Sequence, residues 1–422
     1  MKILLVHKFW RKLSGAEMYF HDVVRILKQQ GHTVKIFTTN LNAEGGTDEK
    51  EVNDEIVYGF PVDYLHGSLA KRVFKLPEII YSKKNKAAMA KLLDEFQPDV
   101  VHVFAIYVTL TPSILEACKE KNIPVVMSCN DYKHICTNYR LYHHGHVCTD
   151  CKGGKLYSPV LNNCCKYSLA FSIASAAEAY VHHFKNIFRK NVNVFMFESK
   201  FMLNITKEFW GDTFKWRLIG KPFHAPAFTP SYEYDNYLLY IGRLSDEKGI
   251  NVLLKAMQLV PEAKLKIVGT GAEDSNLKKL AAELKLSNVE FAGAKWGDEA
   301  KKEIRQARFI VIPSLWHENF PYVVTETYSM GKALIVSDKG GLPEYTFEGI
   351  TGHVYPADDF KKLSDLIRLM WNNESETVQK GKNAKKYADE NFNDTVFYRN
   401  LMDAYNFAIN KKPDFLHTSG IA

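Results

Sequence analysis

The chain opens with an apolar run, Lys2–Val6, that reads as a β-strand. A turn around Ser14-Gly15 leads into Ala16–Gln30, where apolar residues recur at helical spacing until Gly31 ends the pattern. Val34–Thr38 reads as the next strand. A strand–helix–strand unit of this kind builds parallel sheets. Further apolar runs at Asp99–Phe104, Pro124–Cys129 and Asn193–Glu198 extend the series. A second series starts at Tyr237–Gly242 and continues with Lys264–Gly269, Asn288–Ala292, Arg308–Pro313 and Ala333–Ser337. Helical segments at Ile250–Leu259, Glu273–Lys285 and Asp298–Gln306 separate them. Between the two series, Ile219–Pro230 holds three prolines without clear periodicity and predicts a linker.

The two series predict an α/β protein of two Rossmann-like, doubly wound domains facing across a cleft. The expected boundaries are 1–218 and 219–393, with 394–422 supplying a helix, Asp394–Asn410, that crosses back to the first domain, and a tail. The C-terminal strand ends of both sheets would then border one crevice, where open α/β sheets bind ligands. A chain of 422 residues exceeds one ordinary core, and 46% hydrophobic with 24% charged residues is the balance of a soluble globular protein. No apolar run approaches the roughly 20 residues of a membrane-spanning helix, so a cytoplasmic location is expected. The formal net charge of +7 is carried entirely by the first 215 residues. That asymmetry points to an acidic partner for the first half: an anionic membrane surface, a phosphate-bearing acceptor or nucleic acid. Nucleic acid is disfavoured, because no recognisable binding module is present.

The most informative segment runs from Ser314 to Gly331. A strand ends at Pro313, Glu318 falls in the following loop, and Asn319 reads as a helix N-cap with Pro321 in the first turn. Glu326 then lies about two turns into the helix, roughly 10 Å from its start. Free amides at a helix N-terminus make an anion site, and those of Tyr322 and Val323, beside Phe320, suit a phosphate. Carboxylates on either side could accept hydrogen bonds from sugar diols, Glu326 from a ribose and Glu318 from a transferred sugar. Arg243 and Lys248 flank a turn at the end of another strand, where they could neutralise a diphosphate leaving group. Gly269-x-Gly271 and Lys339-Gly-Gly-Leu-Pro-Glu344 are glycine turns at strand ends, where backbone can approach a ligand closely.

Together these pieces resemble the retaining glycosyltransferases of the glycogen-synthase-like GT-B family 4, across nearly the whole chain and most strongly over Tyr237–Pro356. The matching residues are Gly242-Arg243, Lys248-Gly249, Gly269-x-Gly271, Phe291-x-Gly293, the Glu318–Glu326 pair and Gly340-Gly341-x-Pro343-Glu344. The resemblance implies a nucleotide-sugar donor, most readily a UDP- or GDP-sugar. In it Arg243 and Lys248 bind the diphosphate, Glu318 the donor sugar, Glu326 the ribose, and backbone near Ala294-Lys295 the base. Ser14-Gly15 looks like the family's glycine-rich acceptor loop, with Ser14 replacing its first glycine. Asn130 stands where the family often has a histidine facing the reacting sugar. His7, His102 and His134 are other imidazoles of the first half, each read as structural or solvent-facing. The front-face scheme usual for this group, in which the leaving phosphate helps to deprotonate the acceptor, does not require a histidine. No Asp-x-Asp occurs in the chain, so metal-independent transfer is expected.

Five of the seven cysteines fall between Cys136 and Cys165. Cys136, Cys148, Cys151 and Cys164, with histidines interleaved, are spaced much like a structural zinc site; reduced thiols in a packed loop and disulfides are the alternatives. Members of the resembling family that assemble polysaccharides carry a similar insert. Lys71–Lys86 and Tyr180–Lys190 interleave basic and apolar residues, as segments lying on an inner-leaflet membrane surface do. The function expected is transfer of a sugar to a saccharide or polyprenyl-diphosphate-linked acceptor in cell-surface polysaccharide biosynthesis. A UDP-GlcNAc 2-epimerase of the same fold and an inactive sugar-nucleotide-binding protein are the competing readings. A dinucleotide oxidoreductase is disfavoured by Glu273-Asp274, where a third glycine would stand.

Overall fold

Strand β1 (Lys2–Val6) is apolar beyond its first residue because it runs through the middle of a sheet covered on both faces. Leu4 and Val6 enter one core while Ile3 and Leu5 enter another. The computed structural model describes residues 1–11, 15–41, 47–62, 69–224 and 228–410, with side chains for all but 69–74.

The first sheet adds β2 (Thr33–Thr38), β3 (Ile56–Tyr58), β4 (Val100–Val103) and β5 (Val125–Cys129). A two-stranded hairpin, β6 (Tyr142–His143) with β7 (His146–Val147), stands apart, and β8 (Val194–Phe197) and β9 (Trp216–Leu218) complete the sheet. Its order is β3-β2-β1-β4-β5-β8-β9, and each pairing is parallel. The second sheet comprises β10 (Leu238–Ile241), β11 (Leu265–Val268), β12 (Val289–Gly293), β13 (Ile310–Ile312), β14 (Leu334–Ser337) and β15 (Gly352–Tyr355). It runs β12-β11-β10-β13-β14-β15, again all parallel. This is the predicted pair of doubly wound sheets. The strand order reverses between β1 and β4 in the first sheet and between β10 and β13 in the second. Those reversals open the crevices at which doubly wound sheets hold ligands.

The chain returns to the first domain at its end. Helix Asp394–Ile409 places Phe397, Leu401, Ala404 and Tyr405 in the core that holds Ile3 and Leu5. Its start is pinned by Arg25, whose Nη1 and Nη2 donate to the two oxygens of Asp394 at 2.6 and 3.1 Å. Farther along, His102 Nδ1 meets the Tyr405 hydroxyl at 2.8 Å, and Arg217 Nε donates to Asp403 at 2.7 Å. The preceding helix, Glu374–Asn391, still packs Ala384 and Ala388 into the second domain. The domains are therefore strapped together at 391–394 as well as through the linker. Among the described residues, no helix is long and apolar enough to cross a membrane.

Candidate active site

Two loops leave the second sheet at its reversal point, 242–249 after β10 and 313–321 after β13. The first turns through Asp246–Lys248 and ends on Gly249, with φ at 68°. A Cβ at Gly249 would lie 1.9 Å from the Pro313 carbonyl oxygen, so only glycine lets the two loops close on each other. That approach sets Lys248 Nζ 2.6 Å from Glu318 Oε1, which also accepts from Ser314 Oγ at 2.7 Å. Glu318 is 5% exposed. Burial pushes its carboxyl up, but the Lys248 charge and hydrogen bonds from Lys248 and Ser314 outweigh that and hold it below the ordinary carboxylate value. The two predicted site residues thus form one ion pair across two loops. Arg243 keeps its head largely in solvent, 3.4 Å from the buried Glu247, which Arg140 of the first domain approaches at 3.7 Å.

Helix Tyr322–Ser329 follows Glu318 and has no side-chain cap; its N-cap is Pro321. Asn319 is not the cap expected from its type. Its Oδ1 accepts from Ser199 Oγ at 2.7 Å and its Nδ2 donates to Glu198 Oε2 at 3.1 Å, both across the domain boundary. The amides of Tyr322 and Val323 consequently begin the helix without a side-chain acceptor, and the positive dipole end is left for a ligand. Because the helix starts at Tyr322, Glu326 sits only about one turn in, roughly 6 Å along the axis, not two turns. Burial pushes its carboxyl up to about 7, with Lys301 and Lys221 offsetting only part of the effect. From the first domain, Gly15 lies against Tyr322, where an added Cβ would be 3.6 Å from the ring, and Asp22 accepts from the Tyr322 hydroxyl at 3.2 Å. Ser14 lies outside the described residues.

Other predicted site residues have different surroundings. A Cβ at Gly269 would stand 1.8 Å from the Gly242 carbonyl oxygen, and one at Gly271 would stand 2.1 Å from that of Leu244. These glycines seat the Arg243 loop against its neighbour; the close approach is to protein backbone. Phe320 is 2% exposed and its ring stacks on Tyr345 with centroids 3.8 Å apart, so the side chain belongs to the core. Lys295 is ion-paired with Glu303, which also accepts from Lys266 and Tyr237 at 3.0 and 2.9 Å. Beside it, Ala294 is exposed and Trp296 is 77% exposed. His7, His102 and His134 are all buried, and burial depresses each to about 3, so they are neutral. His102 is held between Ser128 and Tyr405, and His134 by Thr206 at 2.8 Å.

Asn130 points into a polar cluster that sequence reasoning missed. Its Nδ2 donates to Glu198 Oε1, while the other Glu198 oxygen takes Asn319 and, at 3.2 Å, Lys221. Burial pushes the Glu198 carboxyl above its ordinary value, with Lys221 and Asn130 pulling it back part of the way. Glu344, in the second glycine turn, accepts from the amides of Lys200 and Phe201 at 2.7 and 2.6 Å, and so caps a helix of the other domain. The C-terminal strand ends of the two sheets therefore face each other through hydrogen bonds. Of the predicted thiols, Cys136, Cys148, Cys151 and Cys164 line one small cavity. Among the described residues, the group of three metal-capable atoms lying within 4.8 Å of one another is that of His143, Cys148 and Asp150.

The family pattern described as glycosyl transferases group 1 matches residues 225–387, and that of Glycosyltransferase Family 4 matches 13–211. The chain belongs to these group 1, family 4 glycosyltransferases. An uncharacterized 42.6 kDa protein in the cps region of Klebsiella pneumoniae is 25% identical over 379 residues, 87% of this chain and 92% of that protein. The sucrose-phosphate synthase of Thermosynechococcus elongatus superposes with a TM-score of 0.71 at 17% identity, covering 97% of this chain and all of that one. HepE of Anabaena, solved in complex with UDP, gives 0.67 at 15%, with 96% and 99% covered. At such identities these structures show the GT-B fold alone. Other curated relatives include a Salmonella typhimurium lipopolysaccharide 1,2-N-acetylglucosaminetransferase and an Escherichia coli O-antigen chain mannosyltransferase, 31% and 30% identical. This chain spans less than half of each, 45% of the length in both cases.

Lys221→Met in this glycosyltransferase leaves Glu198 buried without its cation, and is expected to cost about 3–5 kcal/mol in urea unfolding. Adding Glu198→Gln should recover much of that loss. A cost below about 1 kcal/mol for the single variant would show that the cluster does not hold the domains together.

Proposed function

We propose that the chain is a retaining glycosyltransferase that takes a sugar from a nucleotide-diphosphate donor. The observation that carries this reading is the Lys248–Glu318 pair set beside an uncapped helix start at the reversal point of the second sheet. Lys248, Arg243 and the amides of Tyr322 and Val323 would meet the diphosphate and stabilise it as it leaves. Glu318, held ionised, would accept from hydroxyls of the transferred sugar, and Glu326 from the ribose diol. Backbone at Ala294-Lys295 would take the base. Transfer runs without a catalytic metal in this reading, because cationic side chains and helix amides carry the leaving-group charge.

The acceptor is a saccharide or a polyprenyl-diphosphate-linked saccharide, on the side of Gly15 and Asn130. Two relatives named for lipopolysaccharide and O-antigen work, and the match to a protein of a cps region, favour cell-surface polysaccharide as the product. HepE, named with UDP, favours a UDP-sugar as donor. The surface near 75–86 and 180–190 would rest on the inner leaflet; the side chains of 71–74 lie outside the described residues. There Phe184 is 81% exposed, although Lys86 and Lys185 are partly paired with Glu116 and Glu120.

Thermal-shift screening against UDP-, GDP-, ADP- and CMP-sugars, in buffer without added Mg²⁺ or Mn²⁺, should reveal one donor that raises Tm. Lys248→Ala is expected to abolish that shift, and an unchanged shift would place the diphosphate elsewhere. A carboxylate that must be ionised to accept both ribose hydroxyls binds best above its own pKa. Donor affinity should therefore fall as pH drops below about 7, by up to about tenfold per pH unit, and Glu326→Gln should flatten the profile. An identical profile in the variant would remove Glu326 from the ribose site. Flotation with anionic liposomes at low salt should carry the protein to the top fraction; its remaining at the bottom would end the membrane assignment.

A further inference from the structure

Between β5 and β8 the chain leaves the first sheet and forms a cysteine-bearing lobe around the β6–β7 hairpin. Directly after the hairpin comes Cys148-Thr149-Asp150-Cys151, a tight turn closed by the Lys152 amide on the Thr149 carbonyl at 2.9 Å. Inside it, the Asp150 amide donates to Cys148 Sγ at 3.5 Å. The Cys136 thiol points to Asn138 Oδ1 at 3.0 Å, an oxygen that also accepts from the Arg140 amide at 3.0 Å. An amide aimed at sulfur, as at Cys148, disperses the negative charge of a thiolate, which is how metal-bound cysteines are supported.

Cys136, Cys148 and Cys151, with Cys164 and His143, line a cavity of about 10 Å³, room for a single ion or water. His143 is 5% exposed, yet neither of its ring nitrogens has a hydrogen-bond partner. A buried imidazole that satisfies neither nitrogen is unfavourable in a finished structure, unless a ligand completes it. One of its nitrogens already lies within 4.8 Å of Cys148 Sγ and of an Asp150 carboxylate oxygen. Asp150 is exposed and its carboxylate accepts from Asn162 at 2.8 Å, so it is held at the rim. Cys164 is turned to Cys165, with the sulfurs 4.0 Å apart.

We propose that this lobe binds one zinc ion in the cavity, with Cys136, His143, Cys148 and Cys151 as ligands. Sulfur and imidazole donors without a cage of oxygens select zinc over magnesium or calcium, and a closed set of three thiolates and one histidine is a structural site. The set differs from the four cysteines suggested by spacing in replacing Cys164 with His143. The ion would also support the donor side. The same lobe carries Arg140, 3.7 Å from Glu247, and Tyr167, whose hydroxyl lies 3.3 Å from Asp246, and both acidic residues belong to the loop that holds Lys248. Zinc would thus stiffen a first-domain prop under the donor loop.

The test uses untagged full-length protein purified under reducing conditions. Elemental analysis should find one zinc per chain, and cobalt exchanged into the site should give a visible tetrahedral band with a sulfur charge-transfer band. His143→Ala should weaken zinc in chelator competition by about tenfold or more, Cys148→Ser should abolish it, and Cys164→Ser should leave it in place. Should a cysteine variant fail to fold, cobalt exchange into the unaltered protein still decides whether the site exists. Folded, reduced protein that takes up neither zinc nor cobalt overturns the site. Zinc lost in Cys164→Ser but kept in His143→Ala overturns the place given to His143.

Discussion

Glu198 is a buried carboxylate that neither domain satisfies alone. It sits just past the end of β8, where Asn130 of its own sheet reaches one oxygen, while Lys221 of the linker and Asn319 of the other domain reach the second. An unpaired charge in such a place would be strongly destabilising, so the cluster is complete only when the strand ends face each other. The same contact decides what Asn319 does. Its side chain is spent on Ser199 and Glu198, and the helix two residues later begins on Pro321, which has no side-chain acceptor to cap it. Domain docking and an open anion site thus adjoin along the chain.

The donor side follows a similar logic on a smaller scale. Gly249 lets two loops from neighbouring strands touch, and the contact leaves a lysine and a glutamate as a partly buried pair next to free amides. In the proposed donor site the lysine would turn to phosphate while the glutamate accepts from a sugar. Glu326, burdened by burial and without a fixed cationic partner, is the group on this helix whose charge is most responsive to what binds.

Much of the fold was legible before any coordinates. Central strands such as β1 and β10 are buried on both faces, so their apolar runs stand out and their bounds agree with the structure to within a residue or so. Besides the small Tyr142–Val147 hairpin, three strands of the two parallel sheets went unread: Ile56–Tyr58, Trp216–Leu218 and Gly352–Tyr355. Each is short and lies at a sheet edge, where pairing with one distant neighbour, and not local pattern, makes the strand. In the site, the loop positions of Lys248 and Glu318 were readable, and so was a helix after Glu318, but its start lies at Tyr322 and not after an Asn319 cap. Glu198 and Lys221 carried no local signal, and a motif does not say that the Phe320 ring is core or that Gly269 and Gly271 meet protein backbone.

Periodicity, glycine turns and the order of strands and helices are short-range properties, so the chain alone announced two doubly wound domains and the loops that would bear chemistry. The partner of a buried polar group is a long-range property. Asn319 meets groups 120 and 121 positions away, and His102 is held by a tyrosine 303 positions on. Asparagine suits a helix cap and a hydrogen-bond bridge equally well. Tertiary packing chose between them, because it determines which donors and acceptors remain once water is removed.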